Sequence, residues 1–359
     1  MRYWTYLFAL SVFFITACSS EQTSKSLEDR EHIQYNLALQ DHFELYGNLP
    51  LKAENPNNKI TDEKVELGRL LYFDKRLSKD GTVSCNSCHN LETFGVDNLP
   101  TSPGVGGTLG PRNSPTVFNA ALHKSQFWDG RAKDVEEQAG MPILNPIEMA
   151  IPSEEFLIER LSQIPLYKEK FSEAFPEEES AINYENLKKA IAVFERLMIT
   201  PSSFDEYLAG DSSALTLKQK KGMMTFSLVG CTTCHAGRLL GGELLQKFGV
   251  YYSYWDYTGS KNIDEGLFEV TKNETEKYIF KVPSLRNVAK TAPYFHDGSV
   301  DTLEKAVQIM AITQLDVKLS DSEVENIVAF LNALTSDIPD ELKEVPEALK
   351  DQEEGMTSL

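Results

Sequence analysis

The chain has 359 residues, 41% of them apolar and 25% charged, with 21 Gly, 16 Pro and five Cys. The apolar share is ample for buried cores and excludes a disordered or collagen-like chain; five cysteines exclude a disulfide-dense scaffold, and the length suggests about two domains. With 35 Lys+Arg against 54 Asp+Glu and a net charge of −19, the surface repels phosphate backbones, which argues against nucleic acid and for a basic protein or cation as partner.

Met1-Arg2 is a short positive start, and Tyr3 to Ala17 carries no charge. That run is shorter than the ~20 residues a bilayer span needs, so residues 1–17 read as a signal peptide. Its end, Ile15-Thr16-Ala17-Cys18, resembles a bacterial lipobox, which would make Cys18 the lipidated N-terminus of an exported, periplasmic protein. The competing reading is an ordinary signal peptide with a bystander cysteine. Ser19 after the cysteine leans towards the outer membrane. Removing residues 1–17 takes away only Arg2 and leaves a net charge of −20. Residues 18–45, polar from Ser19 to Arg30, read as a tether and N-terminal segment.

The other four cysteines fall into one repeated pattern, Cys85-Asn-Ser-Cys88-His89 and Cys231-Thr-Thr-Cys234-His235. At this composition a single copy arises by chance about once in a thousand such chains, and Cys-x-x-Cys-His is the c-type haem attachment motif. The thiols bond to the porphyrin vinyl groups and the histidine lies beneath the iron. A Cys₄ zinc site would join pairs ~15–20 residues apart and leave both histidines unexplained; here Cys88 and Cys231 are 143 apart. A thioredoxin-like pair would need one motif on a βαβ unit, and no such alternation occurs.

A second repeat follows each motif. Pro115-Thr-Val-Phe-Asn119 precedes Phe127-Trp128-Asp129-Gly130, and Pro283-Ser-Leu-Arg-Asn287 precedes Phe295-His296-Asp297-Gly298. Two related haem domains in tandem are therefore expected, over 46–200 and 201–339, with the break near 199–216. Leu187, Ile191, Phe194 and Met198 share a helical face, as do Val324, Ile327, Val328 and Leu331 behind the capping box Ser320-Asp-Ser-Glu323. Lys218 to Phe226 predicts a short helix. Strand-like alternation is confined to Gly249–Tyr254 and Tyr278–Val282. The fold class is mainly α, two cytochrome-c-like haem domains with little β structure. Residues 340–359, charged and interrupted by Pro346, read as a mobile tail.

Function turns on the far side of each iron. Leu303, Ala306, Val307 and Met310 form an apolar stripe. Met310 is either an ordinary core methionine or the thioether that closes the second haem opposite His235. Met310 lies 13 residues beyond Asp297, and the residue 13 beyond Asp129 is Pro142, which has no group that binds iron. The first haem, held by His89, then lacks a counterpart ligand, and an open iron is where small molecules bind. Gln138 and Glu148 flank Pro142. A carboxylate could shuttle the proton that breaks a peroxide O–O bond, and an amide could stabilise the developing charge; alone, each is also an ordinary solvated residue. Trp128 is either a packing tryptophan or a bridge between the haems.

These residues resemble the bacterial di-haem cytochrome c peroxidases over most of 60–335. The similarity is carried by both haem motifs, Gly95–Thr101, Gly110-Pro-Arg-Asn-Ser-Pro-Thr116, Gln126-Phe-Trp-Asp-Gly-Arg131, Val282-Pro-Ser-Leu-Arg-Asn287 and Pro293-Tyr-Phe-His-Asp-Gly298. The resemblance implies reduction of hydrogen peroxide to water by electrons from a small cytochrome c or cupredoxin, with two covalent c-type haems. It implies that the Met310 haem accepts electrons, that Gln138 and Glu148 line the peroxide pocket, and that Trp128 lies between the haems. It further implies a calcium ion held by Asn113 and the backbone carbonyls of Thr291 and Pro293, and a possible homodimer.

One departure is informative. Many relatives carry a histidine in the loop before Gly-Pro-Arg-Asn that caps the first haem until reduction releases it. Here the loop is Ser102-Pro-Gly-Val-Gly-Gly-Thr-Leu-Gly-Pro111 and the matching residue is Val105. Of the six histidines, His89 and His235 are proximal, His296 lies in its own turn, and His32, His42 and His123 lie outside the loop. The first haem is thus expected to be open even when oxidised. Two other readings remain at this stage: a MauG-type oxidase that modifies a protein substrate, and a di-haem electron carrier. Met310 stands where MauG-type proteins place a tyrosine. The carrier needs both irons closed, with His123 as one such ligand. The acidic surface predicts a donor with a basic rim and an encounter weakened by salt.

Overall fold

The computed structural model describes residues 16–350, apart from the side chains of 16–26 and Glu28. Residues 1–15 of the expected signal peptide, the Cys18 side chain and the tail beyond 350 lie outside the described residues. Among the described residues no helix is long and apolar enough to cross a membrane.

The stretch read as a tether is instead helical, α1 (Thr16–Gln40). It holds no Gly or Pro, and its polar composition marks an exposed helix rather than a missing one. Next come α2 (Asp62–Phe73), the short α3 (Cys85–Cys88), α4 (Val135–Leu144), α5 (Glu154–Ser162), α6 (Pro165–Ala174) and α7 (Tyr184–Glu195). Side chains of Thr61, Asp134, Ser153 and Asn183 accept backbone N–H groups in the first turns of α2, α4, α5 and α7. Each such cap is worth about 1 kcal/mol.

The second half contains α8 (Ser203–Leu208), α9 (Leu217–Val229), α10 (Trp255–Thr258), α11 (Phe268–Thr271), α12 (Leu303–Leu315) and α13 (Asp321–Asn332). Its antiparallel pair, β1 (Leu245–Lys247) and β2 (Ile279–Lys281), sets Leu245 opposite Lys281. The α9 helix and the Ser320 capping box match expectation, and β2 falls within Tyr278–Val282. Gly249–Tyr254 does not form a strand: Gly249 and Val250 both donate their N–H groups to Gln314 Oε1, which removes them from any ladder.

Two apolar clusters organise the molecule. The first packs α2, α4 and α7 through Leu67, Leu71, Ile143, Leu187, Ile191 and Phe194; the second packs α9, α12 and α13 through Met223, Phe226, Ile309, Ile327 and Phe330. The halves exchange their ends. Leu39 and Tyr46 are buried in the second cluster, although Tyr46 falls within the expected first domain. Tyr207 donates to Asn36 Oδ1 at 3.1 Å and Lys221 pairs with Glu31 at 2.9 Å. At the other end, α14 (Asp340–Lys343) and α15 (Glu347–Lys350) return to the first half. Leu349 is buried in the first cluster, and Arg69 Nη2 donates to Glu344 O at 2.6 Å. The expected mobile tail is therefore docked as far as residue 350, because Leu342 and Leu349 are apolar anchors within an otherwise charged segment.

Candidate functional site

In the first motif α3 sets Cys85 and Cys88 one turn apart, with the Ser84 N–H donating to Ser87 Oγ at 3.0 Å. His89 follows, its N–H bonded to Cys85 O at 2.9 Å. Its Nδ1 lies 2.9 Å from Pro115 O. A carbonyl only accepts, so Nδ1 carries the proton and Nε2 keeps its lone pair for a metal. His235 is held the same way, with Nδ1 2.9 Å from Leu240 O. Burial lowers the pKa of both imidazoles, which favours the neutral form that ligates. None of the four motif cysteines is in a disulfide. Burial pushes Cys88 and Cys231 up to about 11.

A cavity opens beside the second motif. Cys231, Cys234 and His235 line one part of it, and Val307 and Met310 of α12 another. The expected apolar stripe is present, with Leu303 and Ala306 buried and Met310 packed on the second cluster. Among the described residues the first half has no counterpart to Met310. Helices α4 and α12 each begin six residues after the aspartate of the repeated turn, so Met310 is the eighth residue of α12 and Pro142 the eighth of α4. Gln138 occupies the α4 position that Ala306 occupies in α12.

Glu148 lies in the turn after α4, where it accepts from Asn145 Nδ2 at 2.9 Å. Burial raises its pKa, and the nearby Arg131 charge and Asn145 oppose that rise. The Glu148 carbonyl receives the Val105 N–H at 2.8 Å. The 102–110 loop closes on itself through a Pro103–Leu109 bridge, and Val105 packs on the first cluster. Gln138 is half-buried, and no hydrogen bond joins it to Glu148 among the described residues.

Trp128 sits at the junction of the halves. Its Nε1 donates to Asn113 O at 2.8 Å, its carbonyl accepts the Lys281 N–H at 2.7 Å, and its ring meets His296 edge-on at 6.4 Å. Asn113, Thr291 and Pro293 line the same cavity as Trp128. The Asn113 amide nitrogen is committed to Leu99 O at 2.9 Å, which leaves Oδ1 as an acceptor. Among the described residues no trio of His, Cys, Asp or Glu is placed to hold a metal, so a cation there would depend on neutral oxygens.

Of the remaining histidines, His32 meets Lys220 at 3.0 Å and His123 meets Lys281 at 3.1 Å. His296 is buried, stacked on Phe280 at 4.3 Å. Sequence reading gave no role to the charged group at this junction. Arg112 joins Asp129 at 2.5 Å and Asp264 at 2.6 Å, and Arg131 joins Asp129 at 2.8 Å while lying 3.5 Å over the Phe127 ring. A signal existed, because Arg112 and Arg131 stand inside the runs that carry the family resemblance and Lys281 interrupts the apolar Ile279–Val282.

The family model for di-haem cytochrome c peroxidase matches residues 62–213. The chain is 46% identical over 292 residues to the cytochrome c551 peroxidase of Nitrosomonas europaea, covering 81% of this chain and 84% of that one. It is 47% identical over 281 residues to the cytochrome c551 peroxidase of Pseudomonas aeruginosa, covering 78% and 81%. The chain belongs to this family. Among solved structures, a MauG-like protein associated with microbial copper homeostasis superposes with a TM-score of 0.73 at 28% identity, over 83% of this chain and 97% of that one.

Membership implies two c-type haems, and the residues present fit them. Each motif offers two cysteines outside any disulfide and one imidazole whose Nδ1 is held by a backbone carbonyl, and the second adds an apolar cavity bounded by Met310.

Proposed function

We propose that the chain reduces hydrogen peroxide to water with electrons delivered singly by a small cytochrome c or cupredoxin. The observation that carries this reading is the pairing of helices α4 and α12, in register from the same turn, with Met310 in one and Pro142 in the other. Met310 would offer its thioether to the haem held by His235, which suits electron entry, whereas Pro142 has no group to offer the haem held by His89, which suits peroxide. A ferric haem open on one side supplies the site that binds peroxide and receives its oxidising equivalents. Glu148 takes the proton from one peroxide oxygen and returns it to the other, a role supported by its burial beside Arg131. Gln138 donates its amide to the charge that develops on the departing oxygen. Trp128, hydrogen-bonded to both halves, lies on the electron path between them.

The same reading assigns residues 46–200 and 201–339 to the peroxidatic and electron-accepting units. It assigns a Ca²⁺ to Asn113 Oδ1 and the Thr291 and Pro293 carbonyls, supported by their common cavity. It also assigns export, with residues 1–17 removed and Cys18 lipidated at the outer membrane, and a possible homodimer.

Val105 supports an enzyme that needs no activation. Peroxide turnover by the fully oxidised holoenzyme is expected to start at full rate with a reduced small cytochrome c. A sample first reduced by one electron is expected to match it. A lag lifted only by pre-reduction would mean that another residue caps the first iron. No turnover in either sample would move the assignment to a MauG-type oxidase or an electron carrier.

A further inference from the structure

At the junction of the halves two guanidiniums meet two carboxylates: Arg112 bonds Asp129 and Asp264, and Arg131 bonds Asp129. That set includes the exposed Glu269 carboxylate, 3.9 Å from Arg112. Lys281, 5% exposed, stands outside it. Its ammonium donates to His123 Nδ1 and to Ser125 O, each at 3.1 Å, and both partners are neutral. Among the described residues it forms no ion pair; burial brings its pKa down to about 8, against the opposing charge of Asp129. An ammonium can only donate, so His123 Nδ1 is the acceptor and the imidazole proton sits on Nε2. That Nε2 is buried and has no partner. A buried donor without an acceptor and a buried cation without a carboxylate in contact are both costly. Both side chains line the cavity that holds Cys231, Cys234, His235 and Met310.

We propose that Lys281 and His123 bind a propionate of the C-terminal haem, Lys281 Nζ pairing with the carboxylate and His123 Nε2–H donating to it. The inference rests on the two-haem reading and names the ligand that completes this site. A porphyrin attached at Cys231 and Cys234 brings carboxylates into a largely apolar cavity, and among the described residues Lys281 is the ammonium lining it, with no acid in contact. A small inorganic anion is the competing occupant.

The test uses holoenzyme variants Lys281→Met, Lys281→Arg and His123→Phe. Haem content and Met ligation are checked first by optical spectra, so a failure of the haem reading is seen separately. Potentials of both haems are then measured by spectroelectrochemistry, and propionate bending bands by resonance Raman. In Lys281→Met the uncompensated carboxylate favours ferric iron. The redox equilibrium of the Met310 haem is expected to shift about tenfold towards oxidised, about 59 mV for one electron. The first haem should not move, and Lys281→Arg should restore the wild-type value. His123→Phe should displace the propionate band alone, which keeps the proposal testable if Lys281→Met does not assemble. Unchanged potentials and bands in fully loaded variants would overturn it. Potentials that move with added chloride or phosphate while the bands stay fixed would assign the site to an inorganic anion.

Discussion

Glu148 shows how one residue's surroundings set its chemistry. Its carboxyl is half-buried, accepts one bond from Asn145 and feels Arg131 at a distance. Burial disfavours the ionised form and holds its pKa above the ordinary carboxylate value. A group that must accept a proton works as the carboxylate, so turnover through Glu148 should rise as pH climbs through the raised pKa. The sign for stability is opposite: the native state binds this proton more tightly than the unfolded chain, so the contribution is lost as pH rises. Glu148→Gln keeps an oxygen for Asn145 but cannot relay a proton. Peroxide turnover should fall about 10²–10⁴-fold, the usual range for a positioned acid–base group, and the rising limb of the pH profile should flatten. The potential of the Met310 haem, remote from Glu148, should stay at its wild-type value. Retained turnover with the limb intact would remove Glu148 from the proton path.

At the scale of elements, the internal duplication reaches further than its motifs. In the first half α2 crosses α7 at Gly68, where a Cβ would overlap the Ala190 carbonyl and crowd Phe194 Cβ. In the second half α9 crosses α13 at Gly222, where a Cβ would meet the Asn326 carbonyl and Phe330 Cβ. The repeated asparagines also share a task. Asn119 and Asn287 both donate to Thr200 Oγ1, at 2.7 and 2.9 Å, while their own side-chain oxygens accept from Thr200 N and Ser336 N. Gly222→Ala should destabilise by about 1–3 kcal/mol, the usual cost of overpacking a tight contact, and Gly68→Ala by a similar amount. Thermal unfolding of the holoenzyme checks this; an unchanged midpoint would mean that the helices separate without penalty. Helix faces, the haem motifs and the Met310–Pro142 contrast were legible because they depend on spacing along the chain. The glycine crossings and the Arg112–Asp129–Asp264 group were not, because their partners meet only after both halves fold. Gly249–Tyr254 misled for a related reason: its alternation mimics a strand, but Gln314 from α12 takes the backbone N–H groups.

At the scale of the whole molecule, each end of the described chain is built into the opposite half. The N-terminal helix contributes Leu39 to the second cluster, and the C-terminal segment contributes Leu349 to the first. Neither cluster is therefore complete within one continuous stretch, and the two haem motifs are held in one body by the exchange as well as by the Trp128 junction. A chain ended after Pro339 loses Leu342, Leu349 and the Arg69–Glu344 bond. Burial of one leucine is worth about 1.5–3 kcal/mol, and for a half of roughly 150 residues that corresponds to a fall of about 3–12 °C in melting temperature. Because α14 and α15 touch the first half, the loss should fall there. Amide exchange is expected to quicken in α2 and α7 and remain unchanged in α9 and α13. Leu349→Ala should reproduce most of the effect with the charged residues of the tail intact. Melting and exchange at wild-type values in both variants would mean that the segment rests on the surface without supporting the core.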